Sequence, residues 1–401
     1  VLAPYRAFAS RPHAAALLAA SILARLPLGM TPLALLLLMR GRGFDYGEAG
    51  LVVAAYTLAL GASAPVLGRL IDRRGRAAVL LPCALVYPLL AAVVVVASGA
   101  DAPLAAIALT AAGLGLSMPP VGSAVRSLWS ELLPGDLRTV VYSLEAAFQE
   151  VTFVVGPLLA AALAAWSPTA ALLGAGVLTL TGTALVLRHR LVRASTPSPE
   201  RHGGWLGAIG APGVRTVVVI CGSCGIAFGA AELAMPAFAD EHGNRALGGV
   251  ALAAFAAGSL VGGLLTGSMH TVGARRRALV AFAVLAPALA LLLVAWSIPS
   301  LVVLAFVAGM PIAPTFAGCY SLLDRVAHPG TLAEAFAWIG TSIAVGLAIG
   351  TAVAGPLVDR HGVDAAFLFA PLVVVAGGAV VAARLGTLRG GPRVVADAGA
   401  R

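Results

Sequence analysis

The chain is 401 residues long, 60% hydrophobic and 11% charged, with a formal net charge of +9. Soluble domains carry roughly 25% charged residues, so this composition excludes one. The basic charge is all arginine, with no lysine, and it sits in short segments between apolar runs, which points to membrane topology rather than to nucleic acid.

Apolar runs of about 20 residues recur along the chain, each long enough to cross roughly 30 Å of hydrocarbon as a helix. Breaks at charged, Gly-containing or Pro-containing loops predict twelve transmembrane helices and hence an all-α membrane protein. The first six are expected at 13–38, 48–69, 78–98, 104–127, 139–165 and 169–187. The second six are expected at 214–239, 247–269, 278–297, 300–322, 333–357 and 365–385. Between them runs the long polar stretch "RHRLVRASTPSPERHGG". This divides the chain into a six-helix half at 1–187, a linker at 188–213, a second half at 214–386 and a tail at 387–401. The first apolar run is too long for a cleavable signal peptide and lacks a small-residue cleavage site.

Arginine placement sets the orientation. With the N-terminus inside, inner segments carry Arg6, Arg11, Arg69, Arg73, Arg74, Arg76, Arg188, Arg190, Arg193, Arg201 and Arg275 to Arg277, whereas outer loops carry Arg40, Arg42, Arg245 and Arg360. The positive-inside rule then puts both termini and the linker in the cytoplasm. Abundant alanine and exclusive use of arginine suggest a GC-rich bacterial genome and the bacterial cytoplasmic (inner) membrane. The halves also look like copies. "GRLIDRRGRAAVL" from Gly68 and "GSMHTVGARRRALV" from Gly267 follow the second and eighth spans. Parallel six-span repeats are one way to build a transporter with its site near the midplane.

In "GRLIDRRGR", Gly68 permits close helix approach, Asp72 and Arg76 can pair across one turn, and Gly75 allows a left-handed turn into the third span. Arg73 and Arg74 read as topology-fixing charges. The stretch resembles the loop signature G-x-x-x-D-R-x-G-R of the major facilitator superfamily, met at Gly68, Asp72, Arg73, Gly75 and Arg76. The resemblance implies the twelve-helix fold, alternating access and a conformational charge cluster with the inner end of span four. Glu131 is the third member it suggests, and Arg126 competes for Asp72. The second copy has Thr271 where the acid would fall, so a latch there should be weaker. "VVGPLLAAAL" around Gly156 and Pro157 resembles, in part, the antiporter signature of drug–proton exchangers, with Ala160 and Ala161 replacing its last glycines. Pro27, Gly156 and Pro157 are expected kinks.

Five ionisable residues lie within spans or near their ends: Arg25, Arg126, Glu145, Glu150 and Glu232. Such groups need partners or a water-filled cavity. Arg25 and Glu150 lie at similar depth, roughly 18 Å and 16 Å from the inner side. Spans one and five are neighbours in the fold that the resemblance implies, so Arg25–Glu150 is the preferred pair, as a static clamp or as a switch. Glu145 shares a face with Gln149 and can reach towards Arg126. Glu232 has no basic residue nearby in sequence and is a candidate proton carrier.

Gln149 and Asn244 are the only side-chain amides, which disfavours a sugar. Sparse charge beside Tyr56, Tyr87, Phe148, Phe153, Phe228 and Trp338 suits amphipathic or hydrophobic compounds. The resulting expectation is a proton-coupled efflux carrier of the drug-exporter type, monomeric, with protons and a small molecule as partners and without cofactor or metal. The alternatives are a carrier for a specific anionic metabolite with Arg25 as counter-ion, or a non-transporting membrane sensor. An enzyme or ATP-driven pump is disfavoured, because HExxH, GxSxG and a Gly-Lys-Ser/Thr phosphate loop are all missing. Cys83, Cys221, Cys224 and Cys319 lie in apolar runs, so "CGSC" reads as packing rather than redox chemistry.

Overall fold

The computed structural model describes residues 6, 8, 10–100, 102–193, 206–243, 247–267 and 273–389. Arg201, Asn244, Arg245 and Thr271 of the second loop copy lie outside them, as do linker residues 194–205 and most of the tail. Among the described residues there is no strand, and twelve helices are long and apolar enough to cross a membrane. The first six are α1 (His13–Gly41), α2 (Glu48–Arg74), α3 (Arg76–Gly99), α4 (Leu104–Leu132), α5 (Leu137–Trp166) and α6 (Pro168–Arg188). The last six are α7 (Pro212–Glu241), α8 (Gly248–Thr266), α9 (Arg275–Val294), α10 (Ile298–Val326), α11 (Leu332–His361) and α12 (Val363–Ala383).

Two expected spans are not continuous helices. α4 breaks into Leu104–Leu116 and Val121–Leu132, and α10 into Ile298–Gly309 and Ile312–Val326. Pro119, Pro120 and Pro311 sit at the breaks, where a missing N–H and a ring clash stop the hydrogen-bond ladder. The break lets the second part of α4 bury Ser123, Arg126 and Ser127. Between α2 and α3 the chain turns on a single residue, Gly75, at φ 86°. That backbone region is open to glycine at little steric cost.

The packing of the first six helices recurs in the last six. α1 lies on α5 and α6, α2 on α4, and α3 on α6; correspondingly α7 lies on α11 and α12, α8 on α10, and α9 on α12. Gly156 of α5 touches α1 so closely that an added Cβ would meet the backbone of Gly29 at 2.9 Å. Small residues allow such approach where helices pack without a hydrophobic driving force. Large apolar side chains such as Leu58, Leu89, Leu109, Val177, Val303 and Val375 stay exposed, as outward faces do in lipid. The two sets meet where α2 packs on α11 and where α5 packs on α8 and α10.

Candidate functional site

The first cluster lies within the first six helices. Glu145 of α5 is fully buried, and its Oε2 accepts from Arg25 Nη1 of α1 at 2.7 Å. Arg126 Nε of α4 lies 3.4 Å from the same oxygen. The Trp129 indole N–H donates to Glu145 Oε1 at 3.2 Å. One carboxylate is thus shared by two guanidinium groups. Arg25 also donates from Nε to the Ser21 carbonyl, and Arg126 donates from Nη2 to Gln149 Oε1 at 3.1 Å. Arg25 therefore pairs with Glu145, not with Glu150 as expected. The two acids are five residues apart, which turns Glu150 about 140° away around the helix.

Glu150 faces the other set. Its Oε1 accepts from Ser259 Oγ of α8 at 3.1 Å. Among the described residues no arginine comes within ion-pair distance of it. Glu232 of α7 is exposed. No cation pairs with Glu232 either, among the described residues. Depth alone suggested Arg25 for Glu150. Helical phase, which depth ignores, decides otherwise.

The second cluster joins the two sets at the end of the molecule that carries the linker. Both Asp72 carboxylate oxygens accept backbone N–H groups at the start of α11, from Ala333 at 3.0 Å and Glu334 at 2.9 Å. The acid of α2 thus caps a helix of the other set, satisfying donors that a helix N-terminus leaves orphaned. Gly68 makes room for this, since a Cβ there would meet Glu334 Cα at 2.8 Å. Arg69 grips Glu334 through two bonds of 3.0 and 2.8 Å. Arg138 of α5 pairs with Asp324 of α10 at 2.6 Å. Arg76 does not take Asp72 as its ion-pair partner. It turns to Glu131, Ser127 Oγ and the Ala124 carbonyl. Arg126 is committed to the Glu145 cluster rather than to Asp72, and Arg73 is exposed.

An aromatic layer links the two clusters. Arg126 stacks over Tyr320 of α10, 4.4 Å from its centroid. Tyr320 packs edge-on against Tyr142 of α5 and Phe336 of α11, at 6.2 and 6.0 Å. All three rings are buried.

The expected cavity residues divide. Tyr56 is fully buried in the core of the first six helices, and Phe228 is buried against Phe255 and Phe316. Both belong to packing rather than to a cavity wall, because their apolar rings fill space between helices of one set. Gln149 and Trp338 are half-buried, whereas Phe153 is 52% exposed one turn beyond Gln149 and Glu150. The four cysteines are free and buried. Sequence reading missed Trp129, Ser259, Asp324, Glu334 and Tyr320. Trp129 lies three residues after Arg126, a helical neighbour that could have been named. The others lie in distant spans, and nothing local marks them.

Two sets of six helices around buried intramembrane charges describe a multi-pass membrane transporter. The chain matches the Major Facilitator Superfamily over residues 17–268 and again over 217–400, and it belongs to that family. No curated protein matches it. Among solved structures it is similar to a bacterial homologue of the iron transporter ferroportin in an outward-facing state, at 16% identity and TM-score 0.76, covering 93% of this chain and 99% of that one. The human organic anion transporter MFSD10 (TETRAN) is similar at 18% identity and TM-score 0.67, covering 92% and 98%. The E. coli fucose:proton symporter FucP follows at 14% identity and TM-score 0.72, covering 93% and 98%. At these identities the likeness is one of fold.

Proposed function

We propose that this chain is a proton-coupled efflux carrier for amphipathic or hydrophobic small molecules, working by alternating access as a monomer in a bacterial cytoplasmic membrane. The observation that carries the reading is Glu150, an acid within α5 bonded across the two sets by Ser259 and by no cation among the described residues. An ionised carboxylate is costly to enclose in a membrane, and a protonated one much less so. Taking up a proton there lets the cavity close; releasing it reopens the path. Glu232, exposed on α7, is the second acid that takes part in the proton path.

With the linker side taken as cytoplasmic from the arginine distribution, the molecule stands closed inside and faces outward. The bonds from Asp72, Arg69 and Arg138 to the other set all lie at that inner end. Rocking breaks these bonds and exposes the site inside, where export begins. The small number of polar side chains, with Phe153 open beside Glu150, suits an amphipathic cargo.

The test is transport in proteoliposomes under an imposed pH gradient. Glu150→Gln should lose gradient-driven accumulation and keep gradient-independent exchange of substrate. Unchanged gradient-driven accumulation by that variant would falsify the coupling role of Glu150.

A further inference from the structure

The Glu145 cluster is out of charge balance. Arg25 and Arg126 are 5% and 7% exposed, and Glu145 is the single carboxylate within ion-pair distance of either among the described residues. One positive charge is therefore left buried at membrane depth, a costly arrangement unless an anion accompanies it. The donors tell the same story. Arg25 Nη2 is buried with no hydrogen-bond partner among the described residues, and Arg126 Nε has none with bonding geometry. An orphaned buried donor keeps its desolvation cost with no bond in return. Where a second carboxylate would balance the arginines, Arg126 Nη2 meets only the neutral Gln149 carbonyl. Gln149 is half-buried, and Phe153 one turn further along α5 is open. Through Gln149 the positive cluster reaches the residue next to Glu150 on α5.

We propose that Arg25 and Arg126 form the subsite for an anionic head group, so that the substrate is an amphipathic organic anion. Its carboxylate displaces the Gln149 carbonyl from Arg126 and takes up the free Nη2 of Arg25, while its apolar body lies against Phe153. The guanidinium fork suits a carboxylate through paired, charge-assisted bonds. Glu145 then stays ionised as the fixed counter-charge of one arginine, and the substrate serves the other. This rests on the carrier reading above and adds the chemistry of the cargo.

The experiment measures binding to the purified protein in nanodiscs, using para-butylbenzoate, its uncharged amide para-butylbenzamide, and sodium chloride alone. The benzoate should bind about tenfold or more tighter than the amide. Arg25→Gln should lose that preference. Since Arg25→Gln can also disturb folding, Gln149→Glu supplies a second route. It installs the missing negative charge, and should abolish benzoate binding while leaving the protein at least as heat-stable. Proton coupling is read separately, by Glu150→Gln in the gradient-driven transport assay above, so failure of coupling and failure of the anion subsite give different patterns. Equal binding of benzoate and amide, no binding of the benzoate, or undiminished binding by Gln149→Glu overturns the proposal. Chloride displacing the benzoate at comparable concentration also overturns it, assigning the arginines to an inorganic anion.

Discussion

Glu145 and Glu150 stand five residues apart on one helix and live in different electrostatic worlds. Glu145 is enclosed by α1 and α4, shared by two arginines and bonded by an indole. Glu150 meets one serine hydroxyl from the opposite set. The difference teaches how α5 divides its labour. Its Glu145 face belongs to a packed interior, where breaking an ion pair strands a buried charge. The Glu150 face belongs to the seam between the two sets, where among the described residues it accepts from one hydroxyl. An acid fixed inside one set serves charge balance; an acid between the sets is the one proposed above to take and release a proton.

The comparison is broken most severely at Glu145. Glu145→Gln should destabilise the protein by about 3–5 kcal/mol, because two guanidinium groups lose their counter-charge. A large fall in melting temperature checks this, and Glu150→Gln should fall by less than about 1 kcal/mol in the same assay, since glutamine also accepts from a hydroxyl. Next comes the inner latch. Asp72→Ala weakens the cap on α11 by about 0.5–2 kcal/mol. It should raise the inward-open population, read as longer spin-label distances between the linker-side ends of α2 and α11. Tyr320→Leu removes the stack on Arg126, worth about 0.5–2 kcal/mol, and should loosen the same closure without changing Glu150-dependent coupling. Ser259→Ala is also mild, about 0.5 kcal/mol, the low end for one neutral hydrogen bond. It should alter the pH profile of transport and leave the melting temperature almost unmoved.

Much of this was legible in the chain itself. Twelve spans followed from apolar run length, because lipid forces every backbone group into a helix. The fixed positions of "GRLIDRRGR" pointed to the superfamily, and Gly68 and Gly75 stand in the close approach and the left-handed turn that glycine makes possible. The notion that Glu145 can reach Arg126 also came from sequence, by placing both near one depth. Pro119 and Pro120 were visible too, yet the break they impose in α4 went unread, and with it the inward turn of Arg126.

What the sequence by itself determined was the number of helices, their lengths and the charged residues that had to be explained inside a membrane. These depend on local composition and on the energetics of burying polar groups. Tertiary structure alone decided which charges meet. Arg25 reaches Glu145 rather than Glu150, and Asp72 caps α11 rather than pairing with Arg76. Partner choice turns on helical phase and on the rotation of each helix against its neighbours, set by contacts such as Gly29 against Gly156. Those contacts join residues far apart in the chain, so no local pattern encodes them.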